Sequence, residues 1–350
     1  RSVLRSAIRE YLCCEAMHAL NIPTTRALCV IGTDLGIRRE ELETGALVVR
    51  MAASHVRFGS FEVFAHRQQT AEVKILADYV IEHYYPQLAT LDNKYVAFLG
   101  EVVARTAQLV AKWQAVGFAH GVLNTDNMSI LGLTLDYGPY GFVEDFEPHY
   151  ICNHSDDSGR YAFDQQPQIG YWNLACLAQA LLSLMTVEEA KGVLNQYPEI
   201  FNTHIHELMF AKLGLHETRE GDRELWGDLV TALAAEKCDY TLFFRKLADL
   251  SVVAESNELR EWLNRYRERL RAEKLSATER AAQMNKVNPK YILRNYLAQI
   301  AIEKAERKDF AEVDRLRGVL ARPFDEQPEM SHYAQTAPSW GKHLVISCSS

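Results

Sequence analysis

The sequence predicts an α+β fold, a small and partly β front followed by a large helical body. Three observations carry this. Residues 2–20 and nearly everything from 171 onward repeat apolar side chains at helical spacing. Two short β-like runs, Arg26–Ile31 and Ala46–Met51, interrupt the front. Residues 118–145 drop both rhythms for a stretch rich in Gly, Asn and Asp.

In chain order, Val3, Leu4, Ile8, Leu12, Ala16 and Leu20 mark the first helix, which Asn21-Ile22-Pro23 ends. Residues 70–85 and 100–117 follow as helices, and in the second Val103, Ala107, Val110 and Trp113 share one face. Leu174, Leu177, Ala178, Leu181, Leu182 and Met185 form an amphipathic stripe. Further helices are expected near 224–250, 258–274 and 290–307. The charged run Glu258–Lys274 keeps Leu259, Trp262, Leu263, Tyr266 and Leu270 on one stripe, which reads as a packed helix with a solvated outer face.

Composition narrows the function. With 38 Lys and Arg against 46 Asp and Glu, the net charge is −8, which gives no electrostatic footprint for nucleic acid or an anionic membrane. No apolar run approaches the roughly 18 residues needed to span a bilayer. Seven cysteines without a C-x-x-C pair argue against a zinc site or a secreted disulfide framework and fit a reducing compartment. The glycosylation-like triplets at Asn127 and Asn153 are read as chance. The chain opens at Arg1, directly in a helical pattern, as expected for a piece of a longer protein.

The chemistry concentrates in His120-Gly121-Val122-Leu123-Asn124-Thr125-Asp126-Asn127. A protein-kinase catalytic loop reads H-R-D-L-x-x-x-N, its Asn holding magnesium, and His120, Leu123 and Asn127 fall at matching positions. Val122 occupies the place of the usual catalytic Asp, so Asp126 is the nearest replacement carboxylate. Nine residues after Asn127 comes Asp136-Tyr137-Gly138, similar to the metal-binding D-F-G turn. The apolar run Ile130–Leu135 is expected to form a short strand pair returning Asp136 towards Asn127. One amide oxygen and one carboxylate, completed by phosphate oxygens and water, suffice for magnesium. Asn and Asp also make ordinary turns, the bland reading of either half alone. The two halves resemble the catalytic and metal-binding loops of a protein kinase, and that resemblance implies a protein-kinase-like fold: residues 1–65 as a partial N-lobe, 66–330 as a mostly helical C-lobe with extra C-terminal helices, and 331–350 as a tail.

Residues 120–175 carry H-G-V-L-N-T-D-N-M-S-I-L-G-L-T-L-D-Y-G-P-Y-G-F, then C-N-H-S-D, G-R-Y, Q-P and W-N-L. Together with Val3–Ser6, Ile8-Arg9-Glu10, Ala19–Leu28, Arg50-Met51-Ala52, Arg57–Glu62, Asn288–Tyr291 and Arg294–Leu297, this block strongly resembles the selenoprotein O family. The resemblance covers nearly the whole chain. It implies a metal-dependent protein nucleotidyltransferase moving AMP from ATP, or UMP from UTP, onto Ser, Thr or Tyr hydroxyls of protein substrates. It implies Asp126 as base, Asn127 and Asp136 as ligands of Mg2+ or Mn2+, and Arg50 and Arg57 as phosphate contacts. Glu10 matches the helix glutamate that pairs with a phosphate-binding lysine. That lysine and a Gly-containing loop are expected before residue 1, and neither Lys74 nor any other lysine here stands in the required context. The piece alone is therefore expected to bind nucleotide weakly. The resemblance also implies a bacterial cytoplasmic setting, or a mitochondrial one in a eukaryote.

Cys348, third from the end, matches the selenocysteine position of relatives, which suggests a redox pair with Cys152; a free thiol on the tail is the alternative. His204, His206 and Glu207 do not complete H-E-x-x-H and read as an exposed helix start. Two other functions remain open from the residues: a kinase-like phosphotransferase moving the γ-phosphate, and a non-catalytic pseudokinase interaction module.

Overall fold

The computed structural model describes residues 2–39 and 42–346. Its front is a three-stranded antiparallel sheet ordered β1-β3-β2, with β1 at Ser2–Val3, β2 at Arg26–Arg38 and β3 at Leu42–Met51. Helix α1 (Leu4–Ala19) follows β1 and covers the sheet. Its buried face is Leu4, Ile8, Leu12 and Ala16, the residues whose spacing predicts the helix. β2 and β3 extend further than the two β-like runs suggest. Their added residues include exposed apolar side chains, Leu35 and Leu42 among them, which lack the half-buried alternation that marks a strand in sequence.

The body begins with α2 (Phe58–His66), α3 (Thr70–Tyr84) and α4 (Lys94–Val116). α4 buries Val103, Ala107, Val110 and Trp113, then ends at Gly117. A two-stranded ribbon, β4 (Phe118–Ala119) with β5 (Gly141–Phe142), brackets the loop segment. Nine helices follow: α5 (Gln166–Ala180), α6 (Val187–Leu194), α7 (Tyr197–Lys212), α8 (Asp222–Glu236), α9 (Tyr240–Leu247), α10 (Asn257–Leu270), α11 (Ala277–Asn285), α12 (Asn295–Glu306) and α13 (Ala311–Leu320).

One apolar core runs from Leu4 to Ala337 and includes α1, α4, α5, α12 and α13. A second gathers α7 to α11 around Tyr240, Trp262 and Tyr266. Leu259, Trp262, Leu263, Tyr266 and Leu270 all face inward from α10. No helix among the described residues is long and apolar enough to cross a membrane.

Three expectations are corrected. The helix near 224–250 is two helices, because Lys237 turns left-handed (φ 49°) and Asp239 caps α9 by accepting from the Leu242 N–H at 2.9 Å. The helix near 290–307 starts only at Asn295, since Tyr291, Ile292 and Leu293 are buried as an irregular approach. His204 lies inside α7, not at a helix start, and Glu207 pairs with it at 3.1 Å.

Candidate active site

The run Ile130–Leu135 does not fold as the expected strand pair. Its backbone is pinned instead to two segments of the front. The Ile130 N–H donates to the Val56 carbonyl (3.1 Å), and the Phe58 N–H donates to Met128 (3.0 Å). Further along, Thr134 donates to Pro23 (2.8 Å) and accepts from Thr25 (3.0 Å). The Trp113 indole of α4 donates to the Thr134 hydroxyl at 2.9 Å. With Gly132 turning at φ 68°, the segment finds its backbone partners in neighbouring chain rather than in itself. This arrangement fixes Thr134, and Asp136 stands two residues on.

Asp136 adopts a left-handed conformation (φ 62°), which Asp tolerates better than most residues. The turn after it is gripped by α1. Glu10 accepts from the Tyr137 N–H at 2.7 Å, and Arg9 donates to the carbonyls of Gly138 (3.3 Å) and Tyr140 (3.0 Å). Both side chains of one helical step thus hold the turn that presents the carboxylate.

Asp136 is met by two arginines, Arg50 from β3 and Arg57 from the entry to α2. Arg50 also reaches Glu10 at 3.0 Å. Burial pushes the Glu10 carboxyl above its usual range, opposed by Arg50 and the Tyr137 N–H. Sequence alone leaves Glu10 without a partner; in the structure an arginine fills that place. Burial, then Arg50 and Arg57, hold the nearby His55 imidazole below its ordinary range.

The loop before Asp136 is organised by buried polar side chains of α5. Gln166 accepts from the His120 N–H and donates to the Phe118 carbonyl, both at 2.9 Å, and Asn173 donates to Leu123 at 2.9 Å. His120 is buried, which holds its ring below the usual imidazole range. Its Nε2–H donates to Leu135 (2.9 Å), while Nδ1 has no partner among the described residues. His120 is therefore a strut between the two loop halves. Gly121 (φ 81°) admits no Cβ, which would lie 2.6 Å from the Pro139 oxygen and 2.7 Å from Cys152 Sγ.

Asn127 donates its amide to the Val122 carbonyl (2.8 Å), which turns the side-chain oxygen to its other side. Asn127 and Asp136 both line one cleft of about 570 Å3, together with Arg9, Glu10, Arg50 and Gly138. That volume falls within the roughly 300–1,000 Å3 typical of small-molecule sites. The lining contains arginines but no lysine among the described residues. No cluster of three His, Cys, Asp or Glu exists among the described residues, and a cation between Asn127 and Asp136 would draw one amide oxygen and one carboxylate from the protein. That donor set suits a hard ion completed by phosphate oxygens and water.

Asp126 stands on the exposed side of this loop and is not part of the cleft lining. Arg57 donates to its backbone carbonyl at 2.6 Å, and the Asn124 side chain accepts its N–H at 3.0 Å. Its carboxylate abuts α2 so closely that a Cβ on Gly59 would lie 2.0 Å from Oδ1. Arg57 thus touches both Asp126 and Asp136. The structure brings Glu10, Arg50, Arg57, Asp126, Asn127 and Asp136 into one neighbourhood.

Of the other candidates, Cys152 is buried beneath Gly121. Cys348 lies outside the described residues; the His154 N–H donates to Ile346 at 2.7 Å, which returns the tail backbone to this region. Lys74 is exposed and paired with Asp78 at 2.6 Å, away from the cleft. Arg9, Gly59, Gln166 and Asn173 have structural roles that motif spacing did not reveal. Their one signal was position, each next to or within a block of the family resemblance.

Comparison with known proteins matches residues 1–320 to the family described as protein adenylyltransferase SelO. A protein nucleotidyltransferase YdiU of Myxococcus xanthus is 57% identical over 362 residues, covering all of this chain and 74% of the relative. The Thioalkalivibrio sulfidiphilus protein of the same name is 56% identical, with the same coverage. That of Ralstonia nicotianae is 51% identical, over all of this chain and 73% of its own length. The chain therefore belongs to the protein adenylyltransferase SelO family, a family of nucleotidyltransferase enzymes.

Proposed function

We propose that the chain transfers AMP from ATP, with UTP as an alternative donor of UMP, to hydroxyl side chains of protein substrates. The observation that carries this is the meeting of Arg50, Glu10, Asn127 and Asp136 in the lining of one cleft, with Arg57 paired to Asp136 from outside that lining. Asn127 and Asp136 are the residues to hold Mg2+ or Mn2+, which supplies charge neutralisation at the phosphate oxygens. Arg50 and Arg57 exchange their hold on Asp136 for phosphate oxygens, to which a guanidinium donates in bidentate fashion. Asp126, on the open side of the loop, takes the proton of the acceptor hydroxyl. The acceptor oxygen bonds to the α-phosphorus, the bond to the bridging oxygen breaks, and pyrophosphate leaves.

Among the described residues the cleft lining provides arginines and no phosphate-binding lysine. Transfer should accordingly be assayed with the complete natural protein and ATP labelled at either the α- or the γ-phosphate. Acceptor labelled only from the α-position supports the proposal. Label from the γ-position makes the protein a phosphotransferase, and no label with either makes it a binding module. Labelled UTP in a parallel reaction decides between AMP and UMP.

A further inference from the structure

A second cavity, of about 220 Å3, opens where the last turns of α4 and α7 meet Leu20–Ile22 and the 286–289 segment. Its wall is mostly apolar, and its charged side chains are Lys112, Lys212 and Lys286, with no Asp or Glu in the lining. In a chain with more acidic than basic residues, three cations with no acid beside them reverse the general balance.

Lys212 is the unusual member. It is 4% exposed, and its ammonium lies over the rings of Phe244 (4.3 Å) and Tyr240 (5.4 Å). Among the described residues it has no carboxylate partner and no hydrogen-bond acceptor. A lysine that only counters the C-terminal dipole of α7 can do so from the surface, where its long stem lets the ammonium stay in water. Burying it unpaired is costly, and burial brings this amine down to about 7. Lys112, half-buried, donates to the Asn21 carbonyl at 3.1 Å, and Lys286 is exposed.

We propose that this cavity binds a small amphipathic carboxylate, its head between Lys212, Lys112 and Lys286 and its hydrocarbon body against Ile22, Val116 and Phe324. The head is a monoanion for three reasons. Lys112 is already partly engaged. The fork-like donor that suits phosphate, arginine, is missing from the lining. The helices that reach the cavity, α4 and α7, present their C-terminal ends, whose partial negative charge disfavours a dianion. The volume lies below the usual range for drug-sized ligands, so the tail is short. Binding near pH 8 takes one proton from solvent onto Lys212. The groups that face that amine are the rings of Tyr240 and Phe244 of α9, and Lys112 of α4 and Lys286 after α11 share the cavity lining with it.

The test is calorimetry and thermal melting of the chain with octanoate, acetate and inorganic phosphate. Octanoate should bind and raise Tm, with a heat that varies with buffer ionisation because a proton is taken up. Acetate and phosphate should bind at least about tenfold more weakly. Lys212→Met should lose octanoate affinity by about tenfold or more without a lower Tm in the free protein. Lys286→Met, at an exposed position, should weaken binding and keep the parent's melting, which decides the matter if Lys212→Met does not fold. No octanoate binding by the parent, equal binding by parent and variants, or tighter binding of phosphate than of octanoate overturns the proposal.

Discussion

At the cleft between α1, β3 and the 120–139 loop, Arg50 is held by Glu10 and Asp136, and Arg57, beside the lining, by Asp136; in the α4–α7 cavity, three lysines share a lining without a carboxylate among the described residues. Matched charges let the cleft exist without ligand, because each guanidinium and carboxylate neutralises the other's desolvation. On the proposed function, a nucleotide with its cation would enter such a site by exchange of partners, the cation taking the carboxylate and the phosphates the arginines. The cavity works by completion, since a ligand there supplies the missing opposite charge. Changes in the cleft should therefore act on turnover and nucleotide affinity, and changes in the cavity on the pH dependence of stability.

The largest effect is expected for Asp126→Ala in the complete protein. Turnover should fall about 100- to 10,000-fold, the usual contribution of a positioned proton acceptor, while nucleotide affinity stays near the parent's. Steady-state kinetics with α-labelled ATP checks this; a change confined to KM would remove Asp126 from the chemistry. Gly59→Ala should cost about 100-fold in kcat with melting little changed. The new methyl displaces the Asp126 carboxylate, which it would otherwise approach to 2.0 Å. Equal kcat in that variant would mean that the carboxylate's place does not matter. Arg50→Lys keeps the charge but loses the planar fork that can meet phosphate through two nitrogens, and should weaken nucleotide binding about tenfold by calorimetry.

The smallest effect belongs to the cavity. Lys212 is held below its unfolded range, at about 7, so between pH 7 and the ordinary lysine range the unfolded chain binds more protons than the folded one. Stability should rise with pH across that window, by at most about 1.4 kcal/mol per unit, and this contribution should level off below about pH 7. Chemical denaturation of the parent and Lys212→Met across pH 7 to 10 reads the difference. Parallel pH profiles would show that the ammonium is not desolvated at all.

The same contrast explains what was legible in the sequence. Helices with a continuous apolar stripe, such as α4 and α10, were readable because 3.6-residue periodicity survives in linear order. The break at Lys237 was not, since neither Gly nor Pro marks it and apolar residues continue on both sides; Asp239 was the available signal. In the site, Asn127 and Asp136 could be found by their spacing, because the loop that carries them is local. The grip of Arg9 on the turn at 138–140 spans 129 residues or more of chain and follows no spacing rule. Pinning of Ile130–Leu135 to the 23–25 and 56–58 segments is equally non-local, which is why a strand pair within the run was the natural but incorrect expectation. Lys212 gave no signal, being one lysine at the end of a helix, an ordinary place for it.

The measurement closest to the centre of this account is a calorimetric titration of the complete protein with ATP, with and without Mn2+, repeated on Asp136→Asn. Asparagine tolerates the left-handed backbone at this position while removing the charge. The parent should bind ATP more tightly with Mn2+ than without it, and Asp136→Asn should lose that enhancement. An enhancement of the same size in both proteins, or none in the parent, would contradict a cation held between Asn127 and Asp136.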